Sequence, residues 1–196
     1  QEVITGDVDG KISSFLIGLS KEYGYFSSLN ALSRTGEVVA SSVPELIGRD
    51  WKDERFYKEA MGGRAYVEDV HFDTVSRTWV VTFAFPIQAK FEEGEMIGVL
   101  CANWRVEELV RMTQPMVTGD QGQRQGDLLV MRSDGLVIAA PQFAKDDILT
   151  RNLLAAGLRS AQLASKKTRG YLVERDEREM AAVIGYDYSQ GYRDFP

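Results

Sequence analysis

The sequence predicts an α+β protein of two tandem PAS-like modules, each an antiparallel sheet with flanking helices, joined along an N-terminal helix. One observation is a repeated motif, SRTGEVVASS at 33–42 and RSDGLVIAAP at 132–141. Each copy has a turn glycine (Gly36, Gly135), one variable residue, two β-branched aliphatics and an alanine. The second observation is that a strand pair, a helix and another strand pair follow the same order around both copies.

Composition and charge exclude some classes of protein. The 196 residues are 44% hydrophobic and 27% charged, which is enough apolar material for one large core or two small ones. The net charge of −6 and the scattered Lys and Arg residues argue against a nucleic-acid partner, which would need a basic patch. Cys101 is the only cysteine, so an internal disulfide is excluded, but both cytosolic and extracytoplasmic locations stay open.

The ends of the chain favour an excised fragment. No apolar run approaches the roughly 20 residues of a membrane span, and no signal peptide is visible. The chain starts at Gln1 rather than at a methionine and stops on Pro196 without a closing element. We therefore expect a piece of a longer protein, and the lack of a membrane-spanning segment in this piece says nothing about the whole protein.

The first half predicts a helix, a hairpin, a second helix and three strands. A stripe at three- and four-residue spacing indicates the first helix: Ile12, Phe15, Leu16, Leu19 and Tyr23. A hairpin turns at Gly36, and the second helix stops at Gly62-Gly63. The three strands are AYVEDVHF, TWVVTFAFPI and EMIGVLCANWRV, with a solvated charged loop between the last two that holds Glu92, Glu93 and Glu95.

The second half repeats this order after a linker. A connecting helix, VEELVRMTQPM, precedes the linker-like stretch VTGDQGQRQG. A hairpin around Gly135, an amphipathic helix over 152–165 and a further hairpin follow, and its strand 180–186 corresponds to 79–85. The predicted organisation is an N-terminal helix over 1–26, a first module over 27–112 and a second, C-terminally truncated module over 113–196.

Several polar residues are candidates for ligand contact, each with a structural alternative. The planar fork of Arg55 suits a ligand carboxylate, or it pairs with Glu59 on the helix surface. Tyr57 covers a ligand, or it is a half-buried core aromatic. His71, the only histidine, contacts an anionic ligand, or it is structural. Asp69 and Asp73 hold a cationic or hydroxylated group, or they end strands in turns.

Strand alternation adds candidates on the sheet. Trp79 belongs to an alternating run in which one face packs on the helix, and we include it as a candidate ligand contact. Asn103 and Trp104 point to opposite faces, so at most one of them lines a given pocket. Cys101 shares the face of Asn103, and we expect a buried, inert thiol because apolar surroundings raise the pKa of a thiol.

The sequence offers little for catalysis, a cofactor or a metal. It contains no G-x-G-x-x-G, Walker, G-x-S-x-G or H-E-x-x-H motif, so we predict no enzyme activity for this chain. Haem would have His71 as its only imidazole ligand. His71 and Asp73 supply two candidate metal ligands, whereas a closed zinc site uses four. We therefore predict no cofactor and no metal.

Three segments together resemble the double Cache sensor domain: RFYKEAMGG, DVHFDTVSRTWVVTFAFPI and GEMIGVLCANWRVEEL. The resemblance implies two tandem PAS-like modules on the periplasmic or extracellular side of the membrane in bacterial receptors. Those receptors are sensor histidine kinases, chemotaxis transducers and diguanylate cyclases. It further implies a membrane-anchored parent, a small-molecule ligand in the first, membrane-distal module, and a possible homodimer through the N-terminal helix.

The family's ligand anchors are only partly matched. Members that bind amino acids show an Arg and, two residues on, a Trp; Arg55-Phe56-Tyr57 is the nearest match, while Arg49-Asp50-Trp51 has the spacing but lies early. Their Tyr and Asp before the central strand correspond to His71 and Asp73, and their last-strand Asp corresponds to Asn103. We therefore expect a small polar ligand with a carboxylate that is not a standard α-amino acid. The rival interpretation is a cytosolic pair of PAS-like modules that binds a cofactor or scaffolds proteins.

Overall fold

The computed structural model describes residues 7–89, 95–113, 126–175 and 181–189. The chain divides into two compact units, 1–106 and 107–196. The predicted α+β class is confirmed. The boundaries predicted at 26 and 112 remain predictions, and the helix over 107–113 falls within the second unit.

The first unit is built on one five-stranded antiparallel sheet. Its strands are β1 (Phe26–Ser33), β2 (Val38–Ser41), β3 (Tyr66–Asp73), β4 (Thr78–Gln88) and β5 (Met96–Arg105). They lie in the order β2-β1-β5-β4-β3, so the last strand in sequence is central and joins the two hairpins. The part of the predicted charged loop that holds Glu92 and Glu93 lies outside the described residues.

One helix packs on each face of this sheet. Helix α1 (Lys11–Tyr23) covers the face that carries Leu29, Ala31, Ala40 and Ala102. Helix α2 (Arg55–Met61) and the 3-10 turn Pro44–Leu46 cover the opposite face, where Leu32, Val38, Ala84, Val99 and Cys101 are buried. Alternation along each strand therefore supplies two separate apolar layers, as expected for a sheet covered on both sides.

The predicted N-terminal helix is present, and its buried stripe is narrower than predicted. The Asp7 carboxylate accepts hydrogen bonds from the Ile12 and Ser13 amides, which otherwise lack partners at a helix start. Ile12, Leu16 and Leu19 pack on the sheet, whereas the Phe15 side chain is 63% exposed.

The second unit contains shorter elements. Helix α3 (Glu107–Thr113) is followed by β6 (Val130–Met131), β7 (Val137–Ala139), a 3-10 segment (Gln142–Asp147), α4 (Arg159–Ser165), β8 (Gly170–Arg175) and β9 (Ala181–Tyr186). The strands form two hairpins, β6-β7 and β8-β9. The predicted linker at 117–126 lies outside the described residues except for Gly126.

The amphipathic helix predicted over 152–165 is shorter than expected. The described helix begins at Arg159, Asn152 forms an isolated β-bridge with Leu136, and residues 153–157 form turns. Gly157 adopts a left-handed φ of 77°, and Leu158 is extended at the N-cap, so the backbone leaves the helical region there. The apolar residues keep their helical spacing across Gly157 and Leu158, so the sequence pattern gave no sign that the helix starts only after them.

The repeated motif forms the same hairpin in both units. Gly36 and Gly135 have φ values of 89° and 88°. The Gly36 carbonyl accepts from the Trp51 amide at 2.8 Å, and the Gly135 carbonyl accepts from the Leu153 amide at 2.8 Å. A downstream segment therefore docks against each hairpin in the same way, which explains why the turn glycine recurs.

Among the described helices, none combines the length and the hydropathy of a membrane span.

Candidate ligand-binding cleft

A cleft of about 300 Å³ opens in the first unit on the sheet face that α2 covers. Three parts of the unit line it: the loop before α2 and the helix itself (Trp51, Glu54, Phe56), β3 with the turn after it (Glu68, His71, Phe72, Asp73, Thr74), and the strands β4 and β5 (Thr82, Cys101, Asn103). It therefore lies between one helix and the middle of the sheet, a common position for a small-molecule site.

A β-bulge decides which side chains of β3 face the cleft. Glu68 pairs with Thr82, and His71 pairs with Val80, so the register shifts between Glu68 and His71. Directly paired residues share a sheet face, and Val80 and Thr82 lie on the same face of β4. The bulge therefore places Glu68, His71 and Asp73 on the cleft side, although simple alternation would put Glu68 on the other side.

The floor of the cleft is a buried hydrogen-bonded group on β4 and β5. Thr82 is 1% exposed, and its hydroxyl donates to Asn103 Oδ1 at 2.7 Å. The Cys101 thiol donates to the same oxygen at 3.7 Å. Asn103 is 8% exposed, and its Nδ2 donates no hydrogen bond to a described residue. Since Asn103 lines the cleft, this amide N–H is available to an oxygen acceptor there.

The hydrogen-bond partners of His71 indicate which ring nitrogen carries the proton in the neutral imidazole. Nδ1 lies 3.0 Å from the Asp69 carbonyl oxygen, which only accepts, so Nδ1 carries the proton and donates. Nε2 lies 3.4 Å from the Thr82 hydroxyl, whose proton is directed to Asn103. In the neutral imidazole, Nε2 is then an acceptor beside the cleft.

Three carboxylates also line the cleft. Both oxygens of Asp73 serve the following turn, because Oδ1 accepts from the Val75 amide and Oδ2 accepts from the amide and hydroxyl of Ser76. The carboxylates of Glu54 and Glu68 have no hydrogen-bond or ion-pair partner among the described residues. No Lys or Arg is among the described lining residues.

The Cys101 thiol is buried and hard to ionise. Burial raises its pKa to about 12, and the charges of Glu68 and Asp73 add to the rise. The side chain is 1% exposed. A thiol in this environment is a poor nucleophile and metal ligand, so the expectation of a buried thiol with a raised pKa is confirmed.

The raised pKa predicts the reactivity of Cys101. In the native protein at pH 8 we expect no reaction with Ellman's reagent over an hour, and full reaction in denaturant, where the thiol is exposed. Because the folded state holds the thiol proton more tightly than the unfolded state, the free energy of unfolding should fall as pH rises above about 9.

The labelling experiment needs no cysteine control, since the chain has no other thiol. Reaction of the native protein within minutes at pH 8 would show that Cys101 is accessible.

The comparisons with known proteins decide the family. The Cache domain model dCache_1 matches residues 4–192. The chain belongs to the Cache domain family. No curated protein sequence matches the chain. The predicted resemblance to a double Cache sensor domain is thus confirmed, and Cache domains are non-catalytic ligand-binding modules.

Solved structures share the fold of this Cache domain. The extracellular domain of the histidine kinase homologue rpHK1S-Z16 has a TM-score of 0.64 at 16% identity, over 89% of this chain and 70% of its own. An extracellular ligand-binding receptor from Desulfohalobium retbaense has a TM-score of 0.66 at 17% identity, over 89% of this chain and 31% of its own. The ligand-binding domain of Campylobacter jejuni chemoreceptor Tlp3, in complex with 4-methylisoleucine, has a TM-score of 0.59 at 18% identity, over 85% of this chain and 62% of its own.

The Cache domain's cleft brings together three of the residues selected from the sequence, His71, Asp73 and Asn103. Cys101 lies on the same face, as alternation predicted. Whether these side chains bind a ligand remains a prediction.

Four other selected residues lie outside the lining of the cleft. The Arg55 guanidinium lies 5.4 Å from the centre of the Tyr66 ring. Tyr57 is 6% exposed in the core, and its hydroxyl donates to the Arg34 carbonyl at 2.7 Å. Burial raises the pKa of Tyr57, with a smaller contribution from Asp50.

The remaining two, Asp69 and Trp79, lie on β3 and β4. Asp69 is exposed at the bulge, where its Oδ1 accepts from the Val70 amide. Trp79 pairs with Phe72 across the strands, with ring centres 5.2 Å apart. Because Thr82 lines the cleft and side chains alternate along β4, Trp79 faces away from it.

Sequence reasoning did not select Trp51, Glu54, Phe56, Glu68 or Thr82 as site residues. Trp51 and Phe56 belong to the two segments that resemble the family's Arg anchor, and Thr82 alternates in register with Val80, so these three had a detectable signal. Glu54 and Glu68 had none, because the start of α2 and the bulge in β3 set their directions.

Proposed function

We propose that this chain is the extracytoplasmic ligand-sensing domain of a bacterial transmembrane receptor, and that a small polar molecule binds in the cleft of its first unit. The observation that carries the proposal is the buried polar floor of this cleft. Asn103 has a spare donor there, and unpaired carboxylates lie at its walls. Polar groups with unused hydrogen-bonding capacity, gathered in one concave site, are typical of a small-molecule binding site.

The comparisons support the location and the class of partner. The three similar structures are an extracellular domain of a histidine kinase homologue, an extracellular ligand-binding receptor, and a chemoreceptor domain with a small molecule bound. A membrane-anchored parent receptor is part of the proposal. So is pairing of two copies through α1, whose Phe15 and Tyr23 side chains are 63% and 46% exposed.

A chain of buried polar contacts supports a link from the cleft to α1. Cys101 donates to Asn103 at the cleft floor and also contacts the Asn30 side chain. Asn30 Oδ1 accepts from the Ser41 hydroxyl at 2.7 Å, and the Ser41 amide donates to Ser13 of α1 at 3.3 Å.

A ligand that moves Asn103 would disturb these contacts. It can shift α1 only by its difference in affinity for the two arrangements.

The prediction that the ligand carries a carboxylate rested on Arg55. Because Arg55 lies outside the cleft and the described lining has no Lys or Arg, we do not retain the carboxylate as part of the proposal.

A thermal-shift screen of amino acids, organic acids, amines and sugars tests the proposal. We expect at least one class to raise the melting temperature in a concentration-dependent way, because a ligand that binds only the folded state stabilises it. The same ligand should slow amide hydrogen exchange in β4, β5 and α1.

Two variants locate the site. Glu68→Gln changes the charge of the cleft wall and should shift the ligand's affinity at least about fivefold, whereas Arg55→Ala, outside the lining, should leave it unchanged. Binding that survives Glu68→Gln but is lost in Arg55→Ala would place the site elsewhere. Slowed exchange confined to β4 and β5 would refute the link to α1.

A further inference from the structure

The described lining of the cleft is negatively charged. Glu54, Glu68 and Asp73 contribute three carboxylates, a group that is negatively charged at neutral pH, and the described lining has no Lys or Arg. This negative charge also acts on the buried floor of the cleft, because the charges of Glu68 and Asp73 help to raise the pKa of the Cys101 thiol.

Two of these carboxylates lack a partner in the described part of the protein. Glu68 is half-buried beside Thr82, and Glu54 lies at the N-cap of α2 without capping it. Neither side chain has a hydrogen bond or an ion pair among the described residues. Glu54 is exposed to solvent, so only the half-buried Glu68 carboxylate is partly desolvated without a counter-charge, and a bound cation would remove that cost.

An aromatic wall stands beside the carboxylates. The Trp51 and Phe56 rings meet edge to face at 5.8 Å, and both residues line the cleft. Aromatic faces attract organic cations, with indole the strongest. The described His, Cys, Asp and Glu side chains include no group of three that could hold a metal ion.

A second observation independent of the acidic groups also points to a ligand. Asn103 is more than nine-tenths buried and lines the cleft, and its Nδ2 makes no hydrogen bond to a described residue. This donor suits a neutral oxygen of the ligand, such as a hydroxyl.

We infer that the cleft binds a small organic cation, an alkylammonium compound held by Glu54 and Glu68 against Trp51 and Phe56. This inference rests on the proposed function and specifies the ligand class of the same site. It reverses the charge preference expected from Arg55: the helix start turns Glu54 toward the cleft and Arg55 over Tyr66.

Matched pairs of compounds test the charge directly. Choline is compared with its neutral isostere 3,3-dimethylbutan-1-ol, and putrescine with butane-1,4-diol, by thermal shift and calorimetry at constant ionic strength. We expect at least one cation to raise the melting temperature, with affinity at least tenfold above that of its neutral partner. Glu68→Gln should weaken the binding of that cation about tenfold, since the electrostatic attraction between the carboxylate and the cation is lost.

Glu59→Gln is the matched control. It makes the same change at an acidic residue outside the lining, where Glu59 pairs with Arg64 at 3.0 Å, and it should leave cation affinity unchanged. If both variants weakened cation binding equally, the effect would come from the net charge of the protein rather than from the cleft, and the inference would be overturned.

The outcomes separate this inference from the proposed function. If an acid or a sugar binds and is sensitive to Glu68→Gln while neither cation stabilises the protein, the sensor proposal stands and the cation is refuted. Stabilisation by calcium or magnesium chloride but by neither organic cation would also refute it. If no compound of any class binds, the proposed function itself fails.

Discussion

Gly36→Ala should lower the free energy of unfolding of the first unit by about 3–5 kcal/mol, from left-handed strain together with overpacking. The Gly36 φ is +89°, and a Cβ there would lie 2.6 Å from the Lys52 backbone Cα and N. The Lys52 segment cannot easily move away, because the Trp51 amide donates to the Gly36 carbonyl and the Val38 amide donates to the Arg49 carbonyl.

Urea unfolding followed by tryptophan fluorescence measures this loss. All three tryptophans, Trp51, Trp79 and Trp104, lie in the first unit, so their emission reports on its unfolding.

Gly48→Ala is the control for strain alone. Gly48 has a φ of +83°, and a methyl group at this position would meet nothing within 4 Å, so the substitution should cost about 1–2 kcal/mol. Equal losses in the two variants would mean that the close approach to Lys52 is relieved without cost.

Asn30→Ala should lower the free energy of unfolding by about 2–4 kcal/mol, because it leaves buried polar groups without partners and opens a cavity. Asn30 is fully buried. Its Nδ2 donates to the Ser28 hydroxyl at 3.0 Å, and its Oδ1 accepts from the Ser41 hydroxyl at 2.7 Å. Ser28 is 2% exposed and Ser41 is fully buried, so water cannot replace the lost partner.

Asn152→Ala provides the comparison for Asn30→Ala. Asn152 also makes two side-chain hydrogen bonds, to the Asp134 carbonyl and from the Ala155 amide, but these bonds are exposed to water. We expect a loss of about 1 kcal/mol or less, measured by circular dichroism in urea. A loss as large as that of Asn30→Ala would show that burial of the Asn30 group adds nothing.

Local patterns were sufficient for the α+β class and for the hairpin turns. The two hairpins follow from turn glycines at matching positions, and Gly36 and Gly135 have nearly the same φ. Alternation along β5 placed Cys101 and Asn103 on one face, and both line the cleft. These features depend on residues within a few positions of one another, which is why one sequence sufficed.

The candidate site was only partly predictable. Asp69 was selected as a candidate along with His71 and Asp73, but the bulge in β3 places Glu68 rather than Asp69 at the cleft. The resemblance to the family's Arg anchor selected Arg55, yet the neighbouring Glu54, at the extended N-cap of α2, lines the cleft. Each error concerns a single position, and each changes the charge offered to a ligand.

The sequence by itself determined the α+β class and the turn of each repeated hairpin, since turn chemistry and apolar periodicity depend on residues that are close together in sequence. Only the tertiary structure decided that the cleft is acidic. The pairing of β3 with β4 creates the bulge that places Glu68 at the cleft. The packing of α2 on the sheet places Glu54, rather than Arg55, at the cleft. Those directions depend on contacts between segments distant in sequence, about which residue spacing carries no information.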